Sequence, residues 1–410
     1  MPAAGGRDRR VLNQFKSGHG LADSVRMTSA LAPLTAPTAP GRRRARRVSA
    51  LPAPPKGPEL LLNASVALPR LVAAVRDAQH VIDISMYGWM DSGSGAELAR
   101  AVIDRARAGV EVNIMLDGRG SMVGPGLPGA KLVAKLRAAG VHVIVNDSLL
   151  PVIGKPVDHC KVYSIDGERG FLGGMNLSKT YDTWGDAMTT LDRAGAIAAG
   201  RDFLARWVER GGHVSDANER LVLHPVDEPA PTQGQQILAN HPGTSAPIRD
   251  AYLGAFATAQ HRIWVQSPFL GDRAMVDALM GAARRGVDVR LFTNGPSTGK
   301  AVPGINLLGA GFYDELTNAG VKVYQQAQMT HSKVLLADDA AIVGSFNLTT
   351  RSSGKHHEIS MRSTAPSLVT AVTGMFDAAL GTAHLVTAGD LRAPGQRLLT
   401  LVQQLLHLQY

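Results

Sequence analysis

Residues 159–176 read HCKVYSIDGERGFLGGMN, and residues 331–347 read HSKVLLADDAAIVGSFN. Both stretches place His, Lys and Asp at the same intervals, as His159, Lys161 and Asp166 in the first and His331, Lys333 and Asp338 in the second. A pair of small residues and an Asn follow, Gly173-Gly174 with Asn176 or Gly344-Ser345 with Asn347. An acid, Asp186 or Glu358, then stands 27 residues past its own histidine in each. An isolated HxK is noise, whereas an ordered set of this length matched twice points to one active site built from two halves.

The duplication extends beyond these residues. Ala78-Gln79-His80 recurs as Ala259-Gln260-His261, Gly109-Val110-Glu111-Val112 as Gly286-Val287-Asp288-Val289, and Ala139-Gly140-Val141 as Ala319-Gly320-Val321. The displacements are 181, 177 and 180 residues, against 172 at the histidines, the drift expected of differing loops in two copies of one fold. Each copy alternates periods. In the first, Leu68, Leu71, Val72 and Val75 have helical spacing with Pro69 in a first turn, Val81 to Ser85 reads as a strand, Ala96 to Ala108 as a helix and Val110 to Leu116 as a buried strand. A helix at Ala130 to Ala138 and a strand at Val141 to Val145 lead into the catalytic strand. Such alternation predicts a mixed or parallel sheet covered by helices on both faces.

The net charge of +9 is confined to the N-terminus, where residues 1–58 carry 11 Lys and Arg against Asp8 and Asp23, leaving 32 of each sign in the remainder. A globular body without basic excess argues against a duplex-binding protein. No window of 18 apolar residues and no secretory signal pattern is read, so a cytoplasmic or peripheral membrane location is expected. The single cysteine, Cys160, forms no intramolecular bridge and is expected in the core. The Arg-rich stretch 1–58 reads as a disordered basic tail suited to anionic surfaces. Residues 59–223 and 248–390 read as the two copies, 224–247 as their Pro-rich connection, and 391–410 as a C-terminal helix with an apolar stripe packing on the body.

On an extended strand the one-residue gap puts His159 and Lys161 on one face, with Cys160 and Val162 on the other; His331 and Lys333 repeat this against Ser332 and Val334. Two imidazoles and two ammonium groups converging suit a phosphodiester, with one histidine attacking phosphorus, the other protonating the departing oxygen and the lysines stabilising equatorial oxygens. Asn176, Asn347 and Ser345 are expected to donate to the phosphate. Asp186 and Glu358 are expected to accept from one imidazole nitrogen and fix the tautomer. Asp166 and Asp338, at odd spacing from histidine, are expected to support the turn. A lysine beside each histidine repels a divalent cation, so neither metal nor cofactor is expected. The other histidines are expected at the surface or in packing, with His356 and His357 set apart by their closeness to Glu358.

At this level the chain resembles the phospholipase D superfamily, whose hallmark is a duplicated HxKxxxxD motif. DHCKVYSIDG, FLGGMN and WGD ending at Asp186, with GSFNLTTRSSGKHHE in the second copy, are most similar to bacterial cardiolipin synthases and related phosphatidyltransferases. Thr349 and His356 stand where that group usually carries Asp and Asn. The resemblance implies two tandem α-β-α repeats related by pseudo-twofold symmetry around one shared site. It also implies a metal-independent reaction on phospholipid through a covalent phosphohistidine, with His159 as nucleophile and His331 as general acid and base. A membrane surface is the implied partner, nucleic acid a less favoured one, and no obligate protein partner is inferred. A phosphodiesterase or nuclease of the same superfamily and an inactive membrane-associated scaffold are the alternatives. The Gly/Pro-rich loops Gly118 to Gly129 and Gly295 to Gly311 are ordinary connections by default, or an apolar rim for acyl chains.

Overall fold

Apolar strands buried on both faces and amphipathic helices between them build each half in the same order. This is a computed structural model, and it describes residues 57–146, 156–230, 234–295 and 309–392, with 395 and 398. The stretch 1–56, most of the expected C-terminal helix and most of the Gly295 to Gly311 loop lie outside the described residues.

In the first half the strands are β1 (Leu60–Leu62), β2 (Val81–Met86), β3 (Glu111–Asp117), β4 (His142–Asn146), β5 (Val157–Asp158), β6 (Lys161–Ile165), β7 (Arg169–Gly173) and β8 (Ala187–Leu191). Seven of them form a sheet in the order β1-β8-β7-β6-β2-β3-β4. The second half contributes β9 (Gln236–Asn240), β10 (Arg262–Gln266), β11 (Leu270–Gly271), β12 (Asp288–Asn294), β13 (Lys322–Gln326), β14 (Val334–Ala337), β15 (Ala340–Gly344), β16 (Leu348–Thr349), β17 (His356–Ser363) and β18 (His384–Leu385). Its sheet runs β9-β17-β15-β14-β10-β12-β13 along the equivalent path, with β18 added beyond β13 and β5 also pairing with β17. The strand orders of the two sheets therefore superimpose term by term. Both sheets are mixed, since β2, β3 and β4 run parallel while β6, β7 and β8 alternate.

Apart from the first helix, the elements read in the first half form within two residues of their expected starts, as Ser94–Arg107 and Pro128–Ala138 illustrate. Pro69 is a correction: the helix begins at Ala64 and runs to Asp77, which places the proline in its second turn rather than its first. The segment read as a connection also supplies β9, which pairs antiparallel with β17 and occupies the place β1 holds in the first half.

Each half has its own apolar core beneath its helices, and a third core joins the two sheets. Cys160, Val162, Val334 and Leu336 lie in that third cluster. The faces of the motif strands opposite His159, Lys161, His331 and Lys333 thus hold the halves together through buried apolar surface. Cys160 is 1% exposed, and burial pushes its thiol well above the ordinary range, which makes it packing rather than a reactive group. Among the described residues no helix is long and apolar enough to cross a membrane.

Asp166 and Asp338 close the turns after β6 and β14 in left-handed conformation, at φ +54° and +47°. The Asp166 carboxylate accepts from the backbone N–H groups of Gln79, His80 and Val81 at 2.7–2.8 Å. Asp338 accepts from Gln260, His261 and Arg262 at 2.9–3.0 Å. The repeated Ala-Gln-His segment and the repeated Asp are therefore one device, tying the start of β2 or β10 to the end of the catalytic strand. Asp166→Ala should lose about 2–3 kcal/mol of stability, measured by denaturant unfolding, because three amides lose a charged acceptor and alanine resists positive φ. The folded fraction should keep its activity, since Asp166 touches none of the reacting groups.

Candidate active site

The two motif histidines are held by the opposite half. His159, between β5 and β6, donates its backbone N–H to the carbonyl of His357, 2.9 Å away, and β5 pairs in parallel with the start of β17. His331 donates its N–H to the carbonyl of Gly185 at 2.6 Å. Residues 357 and 185 each precede the acid of their own half. Backbone pairing across the interface thereby delivers each acid to the other half's histidine.

The side chains follow. His159 Nδ1 lies 2.9 and 3.0 Å from the two oxygens of Glu358, and His331 Nδ1 lies 2.8 Å from Asp186 Oδ2. The acids were expected to serve histidines at a fixed sequence offset; the structure crosses the pairs between halves, an arrangement sequence spacing cannot reveal. With Nδ1–H donated to a carboxylate, Nε2 is the nitrogen left for substrate on both rings.

Burial lowers the pKa of both histidines, and Lys161 and Lys333 push in the same direction against the pull of the carboxylates. Burial alone would raise Glu358 and Asp186, but their histidines and hydrogen bonds overcome it and hold both below the ordinary carboxylate range. Lys161 is pushed down by burial to about 8, and Lys333 falls well below its ordinary value. Lys161 acts electrostatically on both His331 and Lys333, so the groups share one site. Lys161 Nζ donates to the His159 carbonyl at 2.7 Å and Lys333 Nζ to the His331 carbonyl, each lysine bracing its own motif.

The asymmetric pairs Gly174/Asp186 and Ser345/Glu358 have a steric cause. A Cβ at Gly174 would lie 2.2 Å from Asp186 Oδ1 and 3.0 Å from the His331 carbonyl, so the short acid sits where only glycine leaves room. Glu358 is one methylene longer, and Ser345 and Ser352 fill the space, their hydroxyls donating to its Oε2 and Oε1. Ser345 was expected to contact phosphate. Its hydroxyl donates to Glu358 and accepts from the Ile359 N–H at 3.0 Å, so it orients the carboxylate instead. Asn176 Oδ1 accepts from the Gly88 N–H at 3.2 Å, which leaves its NH2 free of that bond, and the Asn347 side-chain oxygen is buried without a protein partner.

Four features were not read from the sequence. Tyr87 packs edge-on against His159 at 4.7 Å, with Lys161 Nζ 4.9 Å from the center of its ring. Ser352 completes the Glu358 cradle. Trp184 and His356 lie against His331 and His159, so the packing expected of His356 is against a motif histidine. Asp158, beside the catalytic histidine, is buried in an ion pair with Arg206.

His159, His356 and Glu358 offer ligand atoms within 4.8 Å of one another. The Glu358 oxygens are already engaged by His159, Ser345 and Ser352, and Lys161 stands beside them, so the cluster fits a hydrogen-bonded charge network better than a metal.

A family model described as "Cardiolipin synthase, PLD-like domain" matches residues 71–188 and 252–380, one segment in each half, and both segments carry their motif. The chain belongs to that family. The cardiolipin synthase of Geobacillus kaustophilus is 29% identical over 73% of this chain and 61% of its own length, and cardiolipin synthase A of Buchnera aphidicola is 28% identical over 74% and 65%. The chain thus spans about three fifths of the length of these curated relatives. Among solved structures, the phosphatidylserine synthase of Haemophilus influenzae shares the fold with a TM-score of 0.66 at 11% identity, covering 86% of this chain and 94% of that one. The tandem PLD-like α/β architecture is therefore that of the family.

Proposed function

We propose that this protein is a phosphatidyltransferase of the cardiolipin synthase type, exchanging the alcohol on a phospholipid phosphodiester through a phosphohistidine on His159. The observation that carries this reading is the crossed pair of carboxylate-held imidazoles with two buried lysines between them.

His159 Nε2 attacks phosphorus with its lone pair, forming an N–P bond. The P–O bond to the departing alcohol breaks, its electron pair goes to oxygen, and His331 Nε2 supplies the proton. An acceptor hydroxyl then gives its proton to His331 and forms the new P–O bond, while the N–P pair returns to His159. Charge balance fits this assignment. Two ammonium groups cancel Asp186 and Glu358, so a phosphodiester monoanion is neutralised by one additional proton, and only one histidine carries it. Lys161, Lys333 and the amides of Asn176 and Asn347 are the donors for the equatorial oxygens.

A groove of about 720 Å³ supports a lipid over a nucleic acid. Met90, Met122, Tyr181 and Trp184 form its apolar part, Asp91, Ser92, Ser178 and Thr180 its polar part, Lys131 is the one cation among its described lining residues, and the Trp184 ring lies 5.5 Å from that of His331. A polynucleotide would need a row of cations for successive phosphates, whereas apolar walls leading to one phosphate site suit an acyl or glyceryl chain. Association with the membrane surface is part of this proposal.

Phosphatidylglycerol vesicles, phosphatidylcholine vesicles with added alcohol, and single-stranded DNA, each incubated with the purified protein, test it. Transfer product from lipid supports the reading, and cleavage of DNA without lipid turnover replaces it with the nuclease one. Dimethyl phosphate, a monoanion throughout this range, should bind the free site more weakly as the pH rises through about 8, where Lys161 loses its proton. Above the pKa of Lys161 the affinity should fall about tenfold per unit, because the anion needs the ammonium form, and calorimetry at several pH values reads this.

A further inference from the structure

Each half lays a ring against a catalytic histidine by the same rule and with different chemistry. The residue two before the acid is Trp184 in the first half and His356 in the second. Because the acids cross over, Trp184 meets His331 at 5.5 Å with rings inclined 51°, and His356 meets His159 at 5.8 Å inclined 43°. The placement is nearly symmetric, but an indole takes up no proton near neutral pH and an imidazole does.

His356 also faces the carboxylate that holds His159. Its side chain is 16% exposed, and Nδ1 lies 3.8 Å from Glu358 Oε1. The titratable groups facing it are Glu358 on its own strand and His159 from the segment after β5; Lys161 and the Tyr87 phenol stand against the far side of His159. Glu358 favours a proton on either imidazole, and its charge does not balance both.

We propose that His356 and Trp184 assign the roles of the two histidines, His356 by opposing a proton on His159 and Trp184 by leaving His331 free to carry one. The inference rests on the two-step reaction above and gives its direction a physical cause. With one carboxylate between the two imidazoles, a proton on the His356 side opposes one on His159 and leaves its Nε2 as a lone pair to attack phosphorus. The uncharged indole beside His331 adds no such penalty to the imidazolium that protonates the departing oxygen. His356 acts through His159 and is a positioning residue, as Trp184 is for His331.

The pH dependence of kcat/KM reads this directly, because a merely structural loss lowers activity without moving its limbs. His356→Phe keeps a ring and removes the charge, so His159 should protonate more readily and the acid limb should move up by about 0.5 to 2 pH units, the range Coulomb's law gives for charges about 6 Å apart between aqueous and protein-like dielectric. Trp184→His should move the basic limb down by a similar amount, since a charge beside His331 discharges its acid form earlier. In the double swap Trp184→His with His356→Trp, rapid quench with radiolabelled phospholipid and peptide mapping should find phosphohistidine at position 331 as well as 159. Unmoved limbs in both single variants, or label confined to His159 in a folded swap, would overturn the proposal. If His356→Phe does not fold, the basic limb of Trp184→His decides alone. A wild-type enzyme that turns over lipid without labelling either histidine overturns the two-step reading together with this inference, whereas labelling of His159 with unmoved limbs overturns the inference only.

Discussion

His159→Asn should lower the proposed phosphatidyl transfer by about 10⁴-fold or more, to a level set by substrate binding and the remaining electrostatics. The amide keeps a donor for Glu358, so the cradle formed by Ser345 and Ser352 retains a partner and the fold should persist. What disappears is the nitrogen that forms the bond to phosphorus. His331→Asn should be equally damaging with a natural lipid, whose alkoxide leaves only if protonated. With a nitrophenyl phosphodiester, whose leaving group needs no proton, His331→Asn should still release a burst of nitrophenol and accumulate phosphoenzyme, and His159→Asn should not. Stopped-flow absorbance with the two variants separates nucleophile from acid. A burst from His159→Asn and none from His331→Asn would reverse the assignment.

The second large effect lies behind the site. Arg206, on the helix Arg193–Glu209, is 1% exposed and contacts two buried carboxylates, Asp158 Oδ2 at 2.6 Å and Asp202 Oδ2 at 2.8 Å. Ser85 donates to Asp158 at 3.1 Å, and His241 Nε2 stands 3.2 Å from Asp202 Oδ1. Arg206→Met should cost about 3 kcal/mol, because it leaves buried Asp158 with only the longer contact to Arg210 at 3.6 Å and buried Asp202 with only His241. Arg206→Lys should recover little, since a single ammonium cannot reproduce the fork that spans both acids. Denaturant titration measures the loss. Burial works against ionisation of Asp202, but Arg206 and His241 hold its pKa down to about 2. A depressed pKa contributes stability that is complete above the unfolded value near 4 and disappears as pH falls toward about 2. The wild type should lose this part across that window, and Arg206→Met should show a flatter profile there. Asp158 immediately precedes His159, so the variant should also lose activity beyond its loss of folded protein.

Much of this was legible in the sequence because strand chemistry is local. The HxK spacing places His and Lys on one face, the repeated landmarks follow the repeated strand order, and the equal offsets of Asp186 and Glu358 marked both as partners of histidine. Which histidine each acid serves was not legible. That depends on β5 pairing with β17 and on the bridge from Gly185 to Thr330, contacts between residues far apart in the chain. Ser345 looked like a phosphate donor because it follows a tight turn, and only the length of Glu358 shows that the hydroxyl is needed elsewhere. Arg206 was invisible for a related reason: a buried ion pair on a helix looks in sequence like a solvated charge. His356 stood close enough to Glu358 to attract notice, but its contact with His159 comes from the same crossing of the halves.

The stereochemical course at phosphorus tests the account most directly. A phospholipid made chiral at phosphorus with sulfur or oxygen isotopes is turned over in the presence of an acceptor alcohol, and the configuration of the product is read by phosphorus NMR. Attack by His159 followed by attack of the acceptor is two in-line displacements, so the account predicts net retention. Net inversion would mean a single direct displacement and would contradict the phosphohistidine at its centre.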